Sequence, residues 1–260
     1  MSPASRRGER AFLANYRPSD FPSFAVTVDL AIFTIRQGLL SALLVQRAGH
    51  PYQGYWALPG GFVHAKESIE QAAHRELAEE TGVAKFTGHL EQLRTYGDAD
   101  RDPRMRVVSV AHVALAPNLP DPRPGGDASG ARWWPVEDLD IDETEHADAP
   151  LLAFDHAQIF FDARERVRAK LEYTTLATRF VDEPFTLSDL RRVYSAVWGR
   201  APDLGNFRRK VLGTDGFVVP ANQAGTTAGP AGGRPPALYR RGGATVLHPP
   251  FMRTSHQVRM

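Results

Sequence analysis

Cysteine is absent from this 260-residue chain. Its absence excludes disulfide bonds, thiolate zinc sites and a cysteine nucleophile. The chain also lacks any apolar run near the roughly 20 residues that span a bilayer. Its basic start, MSPASRRGER, is not followed by the apolar core of a secretory signal. We therefore expect a cytoplasmic protein that has no membrane partner.

A strong net charge is also lacking, since the formal value is only +1, but the two halves of the chain differ in sign. Residues 1–154 hold 15 Lys and Arg against 21 Asp and Glu, a net charge of −6, and residues 155–260 hold 16 against 9, a net charge of +7. An acidic half joined to a basic half favours two functions, with a polyanion as the partner of the basic one. Uneven partition by chance is the simpler alternative.

The acidic half is predicted to combine several strands with one helix. A polar, unpatterned and flexible tail is expected over residues 1–20. Four β-rich stretches follow, over residues 24–35, 39–47, 89–96 and 106–116. Between the second and third lies a predicted helix over 69–81, which a capping box at Ser68 can start and Gly82 can end. Strands around a helix in this order indicate an α+β or α/β sandwich over residues 21–154.

The basic half begins with helices and ends with strands. Helical spacing predicts helices over residues 155–176, 186–198 and 204–212, and short β-like stretches follow at 217–219 and 237–241. This order is typical of a winged helix-turn-helix. We therefore predict a linker helix over 155–180, a winged helix over 181–245 and a C-terminal tail over 246–260.

The predicted helix over 69–81 carries three glutamates on one face. Glu76, Glu79 and Glu80 are spaced i, i+3 and i+4, so their carboxylates are neighbours and repel one another. A hard divalent cation, Mg²⁺ or Mn²⁺, relieves this repulsion, since both prefer oxygen ligands. Arg75, four residues before Glu79, can orient it through an ion pair. For the three glutamates alone, a solvated acidic helix face is the simpler explanation.

The surrounding sequence specifies more than these carboxylates. From Gly61 the chain reads GFVHAKESIEQAAHRELAEETGV, which resembles the Nudix box, G-x5-E-x7-R-E-U-x-E-E-x-G-U with U aliphatic, at every specified position. The resemblance implies a Nudix α/β/α sandwich with a mixed sheet, within an α+β fold class overall. It further implies pyrophosphate chemistry, in which a water attacks phosphorus in a nucleoside diphosphate linked to another group.

The Nudix resemblance also assigns roles to five side chains. Glu76, Glu79 and Glu80 are implied to bind the divalent metal. Glu67 and Arg75 are implied to support them, so all five are predicted catalytic residues. The general base varies in this family, and the candidates here are Glu79, Glu80, Asp98 and Glu137.

The identity of the nucleotide is left open by the sequence. A proline associated with ADP-ribose hydrolases of this family falls near Ala99, whereas the nearest proline here is Pro103. The predicted substrate contacts are Gly61, Arg47 and Tyr96. Aromatic side chains that could stack on an adenine are Tyr55, Trp56, Tyr96, Trp133 and Trp134, although the two tryptophans at 133 and 134 suit the core equally well.

The basic half carries candidate DNA contacts on its predicted helix over 204–212. Phe207 and Val211 lie one turn apart and are expected to face inward, so the polar side chains around them face outward at least in part. Cations suit phosphates, and Arg and Asn suit purine edges. The predicted DNA contacts are Asn206, Arg208, Arg209, Lys210 and, between the two β-like stretches, Arg234.

Three segments of this half, FTLSDLRRVYSAVWGR, NFRRKVL and GGRPPALYR, resemble the Nudix-related transcriptional regulators of the NrtR family. The resemblance implies a homodimer that binds a double-stranded DNA operator, with ADP-ribose or a related compound as effector. Its targets would be genes of NAD metabolism or sugar use. Unlike members with damaged boxes, this chain fills every metal-ligand position. The alternatives are a plain Nudix pyrophosphohydrolase, whose basic domain serves oligomerisation or substrate capture, and an RNA-directed Nudix enzyme.

Overall fold

A computed structural model describes residues 3–83, 86–122, 128–139, 150–224 and 236–253 of the chain. Within these ranges the strands are β1 (Ala25–Arg36), β2 (Leu39–Arg47), β3 (Trp56–Ala57), β4 (Gly60–Phe62), β5 (His89–Tyr96), β6 (Val107–Leu115), β7 (Ala128–Pro135), β8 (Val218–Ala224) and β9 (Ala237–Arg241). The α-helices are α1 (Pro3–Asn15), α2 (Ile69–Thr81), α3 (His156–Tyr173), α4 (Leu187–Trp198) and α5 (Leu204–Gly213). Short 3-10 helices lie at Pro18–Asp20, Val136–Leu139 and Leu176–Phe180. None of the helices in the described ranges is long and apolar enough to cross a membrane.

Seven strands form one mixed sheet. The hairpin of β1 and β2 turns at Gln37 and Gly38. β1 runs parallel to β6, which pairs with β5, and β2 pairs with β3 and β7. β4 joins the start of β1, where Thr27 lies opposite Phe62.

Helices cover both faces of this sheet. On one face, Leu30 of β1 is buried together with Ala73 and Leu77 of α2. On the other face, Phe33 of β1 packs against Phe160 of α3, with 6.0 Å between the ring centroids. Helices on both faces of a mixed sheet form an α/β/α sandwich. The predicted fold class is therefore confirmed.

α2 begins and ends where the sequence predicted. The Ser68 side chain accepts a hydrogen bond from the Gln71 N–H, and the Gln71 side chain accepts one from the Ser68 N–H. Gly82 ends the helix in the left-handed conformation. The face buried against the sheet comprises Ala72, Ala73, Glu76, Leu77 and Thr81. Burial of this face sets the direction in which the neighbouring glutamates extend.

α3 forms a layer of the sandwich, whereas the sequence predicted a linker helix over 155–180. Its buried side chains include Ile159, Phe160, Ala163, Val167 and Leu171. Its charged side chains pair along the less buried side, as Arg168 does with Glu165 at 2.9 Å. The mixed charge of this segment is therefore that of an amphipathic helix.

The prediction of an unpatterned tail over residues 1–20 is wrong in its secondary structure, because residues 3–15 form α1. Phe12 and Leu13 of this helix are 63% and 62% exposed. α1 therefore buries neither side chain. Because the helix packs neither of them into a core, its sequence lacks the apolar spacing by which a helix is predicted.

α4, α5 and the β8–β9 hairpin form the predicted winged helix-turn-helix. A capping box at Thr186 starts α4. Phe207 and Val211 of α5 are fully buried, as their spacing predicted. The described part of the predicted C-terminal tail, residues 246–253, packs back on this domain, where the Phe251 ring lies 5.3 Å from that of Tyr194.

Because α3 is a layer of the sandwich, Phe160→Ala should destabilise the protein strongly. Phe160 is 2% exposed, so removing its ring leaves a cavity and should lower the free energy of unfolding by about 3–5 kcal/mol. Phe161→Ala is the matched control, because Phe161 is 42% exposed and should cost only about 0.5 kcal/mol. Urea unfolding followed by circular dichroism measures both, and equal losses would contradict the packing of α3.

Candidate functional site

A cleft of about 970 Å³ opens between β1, β2, β4 and α2. A volume of this size is typical of ligand sites in proteins. Glu76, Glu79 and Glu80 line the cleft together with Gly61 and Arg47. The fold therefore brings together the three predicted metal ligands and two of the three predicted substrate contacts.

Arg75 is the centre of the hydrogen bonds around α2. Its Nη1 donates to Glu76 Oε1 at 2.6 Å and lies 3.5 Å from Glu79 Oε2. Its Nε and Nη2 donate to the two carboxylate oxygens of Glu67 at 3.1 and 2.8 Å. The predicted pair with Glu79 is present, but Arg75 binds Glu67 and Glu76 more closely. The Arg75 guanidinium, followed by the backbone N–H of His64, lowers the pKa of Glu67 to about 2.

Glu76 is buried and Glu80 is half-buried in the cleft wall. Burial, followed by the charges of Glu76 and Glu79, raises the pKa of Glu80 to about 7. Burial also raises the pKa of Glu76, against the opposing effect of Arg75. The Oε2 atom of Glu80 is buried and has no hydrogen-bond partner within the ranges that the structure describes. Buried carboxylates that repel one another are stabilised by a nearby cation.

This donor set fits a hard divalent metal ion in its chemistry, since every donor is a carboxylate oxygen. The side chains do not form a ready-made ligand set, because no three metal-ligating side chains converge in the part of the chain that the structure describes. Arg75 engages Glu76 Oε1, and the Glu79 side chain is 58% exposed. Metal binding therefore requires these carboxylates to come closer together than they are in the structure.

Two adjacent glycines allow close approaches beside these carboxylates. A Cβ atom at Gly60 would overlap the backbone oxygen of Val28 in β1. A Cβ atom at Gly61 would overlap Oε1 of Glu76. Gly61 was predicted as a substrate contact, and the structure adds that it leaves room for a carboxylate of α2.

A buried ion network in the same cleft was missed by sequence reasoning. Arg101 donates from Nε and Nη2 to the Asp155 carboxylate at 2.8 and 2.6 Å, and its Nη2 lies 3.4 Å from Asp29. His156 accepts a hydrogen bond at Nδ1 from the Leu58 N–H at 2.9 Å, and burial lowers its pKa. These residues come from β1, the loop after β5 and the start of α3. No short motif therefore reveals the network.

Arginines and aromatic rings meet around Phe154, which also lines the cleft. The Arg47 guanidinium lies 4.9 Å from the centroid of the Phe154 ring, and that of Arg104 lies 5.8 Å away. Arg104 also lies 5.8 Å from the ring of Phe62. A guanidinium that stacks on an aromatic ring still has N–H groups that can donate hydrogen bonds to phosphate oxygens. The rings themselves offer apolar surface to a nucleotide base. Only Arg47 of this group was predicted from the sequence.

Several predicted residues lie elsewhere. None of the five aromatic stacking candidates, all within the described ranges, lines the cleft. The prediction of Tyr96 as a substrate contact is not supported, because Tyr96 is buried and its hydroxyl donates to Asp162 of α3 at 2.8 Å. Asp98 and Glu137, both candidates for the general base, do not line the cleft either.

The second candidate interface is the outer face of α5. Asn206, Arg208 and Arg209 are exposed, while Phe207 between them is buried. Lys210 is half-buried, and its ammonium group contacts the backbone oxygen of Pro249. The predicted DNA contacts of α5 thus share one surface, although Lys210 already has a partner there. Arg234 lies outside the described residues.

Two family models match the chain. The model described as the NUDIX domain matches residues 24–154, and the model described as the NrtR DNA-binding winged helix domain matches residues 177–241. The two matches correspond to the sandwich and to the winged helix.

Individual proteins match across both domains. The chain is 37% identical to the ADPR responsive transcriptional repressor NtrR of Acinetobacter baylyi, over 89% of this chain and 88% of that protein. The crystal structure of Shewanella oneidensis NrtR complexed with a 27mer DNA matches with a TM-score of 0.66 and 35% identity, over 83% of this chain and 93% of that one. The NUDIX domain of the same protein, complexed with ADP ribose, matches with a TM-score of 0.52 and 39% identity, over 64% of this chain and 99% of that domain.

The two glycines should respond differently to alanine. Gly60→Ala forces backbone apart, which should cost about 1–3 kcal/mol and lower Tm by several degrees. Gly61→Ala displaces only the end of a flexible side chain, so Tm should fall much less. Differential scanning calorimetry of both variants checks this order. A larger loss for Gly61→Ala would show that the Glu76 carboxylate is held rigidly in place.

Proposed function

The chain belongs to the Nudix family and carries an NrtR winged helix domain, and we propose that it is a transcription regulator that responds to ADP-ribose or a related nucleoside diphosphate derivative. One observation carries the proposal: a single chain combines a carboxylate-lined cleft with an exposed basic helix. Its relatives support this reading, since one is named as an ADPR responsive repressor and structures of another contain DNA or ADP ribose.

The cleft suits a ligand with two phosphates and a base. Arg47 and Arg104 supply guanidinium groups, of which that of Arg104 is held by the Asp102 carboxylate at 2.7 Å. The rings of Phe62 and Phe154 supply apolar surface beside them. A diphosphate binds arginine through charge-assisted hydrogen bonds, which are stronger than those between neutral groups. We place the diphosphate near these arginines and leave Tyr96 out of the ligand site.

We further propose that the chain hydrolyses its ligand. Glu76, Glu79 and Glu80 would hold Mg²⁺ or Mn²⁺, which neutralises phosphate charge and lowers the pKa of a bound water. Arg75 orients this set through its bond to Glu76. Glu79 and Glu80 stay as candidates for the general base because both line the cleft. A pyrophosphohydrolase without DNA binding is the second candidate function, favoured by the same complete set of carboxylates.

The winged helix is proposed to bind an operator as part of a homodimer. Asn206, Arg208 and Arg209 on the exposed face of α5 suit base edges and phosphates, with Lys210 beside them. A dimer would read two half-sites about one helical turn apart. A regulator of this kind acts in the cytoplasm, and genes of NAD metabolism are its proposed targets.

Replacement of a cleft carboxylate should remove hydrolysis. Glu79→Gln or Glu80→Gln should reduce AMP release from ADP-ribose with Mg²⁺ by at least about 100-fold, because charge stabilisation by a bound metal is worth several kcal/mol. Glu70→Gln is the matched control, since Glu70 is exposed on the same helix and does not line the cleft. AMP release is followed by chromatography. If the wild-type protein hydrolyses no member of a broad panel of nucleotides, the hydrolase proposal is refuted. Ligand binding would then be tested separately.

Neutralising α5 should weaken DNA binding in a salt-dependent manner. Arg208→Ala with Arg209→Ala should abolish the gel shift on the upstream region of the protein's own gene. Each phosphate contact that is lost should reduce the slope of log K against log salt by about 1. Arg94→Ala removes an exposed charge from β5 and should leave binding intact. Unchanged binding by the double variant would refute the assignment of α5 as the recognition helix.

A further inference from the structure

We propose that the ion pair between Arg101 and Asp155 couples occupancy of the cleft to the position of the winged helix. In this proposal, which rests on the proposed function, a diphosphate ligand attracts Arg101 and thereby releases Asp155 at the start of α3. Arg101 and Asp155 are then positioning residues of the regulatory response, and both lie outside the Nudix box.

Arg101 is placed between the cleft and α3. Its side chain is 4% exposed, yet it lines the cleft. Its guanidinium donates to both carboxylate oxygens of Asp155 and approaches Asp29 at 3.4 Å. Asp29 keeps other partners if Arg101 moves, because the Ser109 hydroxyl donates to it and His156 Nε2 lies 3.6 Å away.

Asp155 has a second role that the ion pair prevents. It is the N-cap residue of α3, where an aspartate ordinarily accepts a hydrogen bond from a backbone N–H of the first turn. The Asp155 side chain makes no such bond, although its backbone oxygen accepts from Gln158 and Ile159 at 3.0 and 3.2 Å. A carboxylate released from Arg101 can cap the helix and interact favourably with its dipole. Asp155 thus has two favourable states, one paired with Arg101 and one capping α3.

The chain that enters α3 is fastened to the cleft. Ala153 donates from its N–H to the backbone oxygen of Trp56 at 2.8 Å. Phe154, the next residue, has a φ of 55°, a left-handed conformation that is unfavourable for a residue other than glycine. Its ring contacts Arg47, which lines the cleft, and Tyr52. A ligand that changes these contacts acts on the residue that precedes Asp155.

The other end of α3 is bonded to the winged helix. Arg168 Nε donates to the backbone oxygen of Val197, and Trp198 Nε1 donates to that of Arg168, both at 3.2 Å. The Phe251 N–H donates to the backbone oxygen of Glu172 at 2.8 Å. The 18 residues of α3 span about 27 Å at 1.5 Å per residue. A change at the start of this rigid helix therefore reaches α4 directly.

A diphosphate and Asp155 compete for the same donors. Guanidinium binds phosphate and carboxylate oxygens in the same paired geometry. In this proposal the ligand takes the paired Nε and Nη2 donors that Asp155 now holds, and each occupancy corresponds to one arrangement of the start of α3. A ligand shifts the equilibrium between these two arrangements of α3 only if it binds one of them more tightly. The exchange of Asp155 for the ligand at Arg101 supplies this difference in affinity.

The test compares ligand and DNA affinities of wild type, Asp155→Asn and Asp162→Asn. The probe is α,β-methylene ADP-ribose, which resists hydrolysis, and DNA affinity is measured by fluorescence anisotropy on the fragment that wild type shifts. For wild type the probe should change the Kd for DNA by about 5–150-fold, a typical range for coupled sites. Asp155→Asn should bind the probe at least as tightly, since a competitor is weakened, yet lose most of this change. Asp162→Asn, the same substitution at a carboxylate that bonds Tyr96 and Gln158 instead of Arg101, should retain it.

Three other outcomes would overturn either the proposed regulation or the coupling role of the ion pair. A wild type whose DNA affinity does not respond to the probe refutes the proposed regulation itself. A responsive wild type whose Asp155→Asn variant responds equally overturns the coupling role of the ion pair. If Asp155→Asn weakens probe binding without altering the response, Asp155 is only a structural residue and the inference fails. Arg101→Lys keeps the charge but not the paired geometry, and should lose the response even if Asp155→Asn does not fold.

Discussion

The structure depends on the gathering of three mutually repelling carboxylates in one cleft. α2 achieves this because Ala73 and Leu77 are buried with β1, which leaves Glu79 and Glu80 at the cleft wall. Arg75 offsets part of the repulsion, while Glu80 retains a buried oxygen without a partner among the described residues. In the proposed function, a cation together with a diphosphate would complete this arrangement of charges. Ligand binding is therefore prepared by the packing of the helix itself.

Packing also joins the cleft to the DNA-binding domain. α3 covers one face of the sandwich, begins beside the cleft and ends in hydrogen bonds with α4. The C-terminal segment adds to this connection, since Phe251 contacts both α3 and the aromatic core of the winged helix. The two domains are thus linked by a buried helix and not by a flexible tether. Such a link suits a protein in which one domain responds to the other.

Local signals allowed much of the fold to be predicted. The capping box at Ser68 and the glycine at 82 gave the bounds of α2, and the apolar spacing of Phe207 and Val211 gave the inner face of α5. β3 and β4, of two and three residues, were missed because such short strands show no alternation. The Arg101 network was also missed, since its members are 54 and 72 residues apart. Tyr96 was misplaced because an aromatic side chain has the same signature in a core as in a ligand site.

Titration calorimetry of the intact chain with α,β-methylene ADP-ribose tests the central claim most directly. The account predicts saturable heat with one site per chain in the presence of Mg²⁺, and weaker binding once the metal is chelated. The absence of heat at any ligand concentration, with and without the metal, would contradict it. In that case the glutamates of α2 would be an acidic surface, and the DNA-binding domain would lack a sensor.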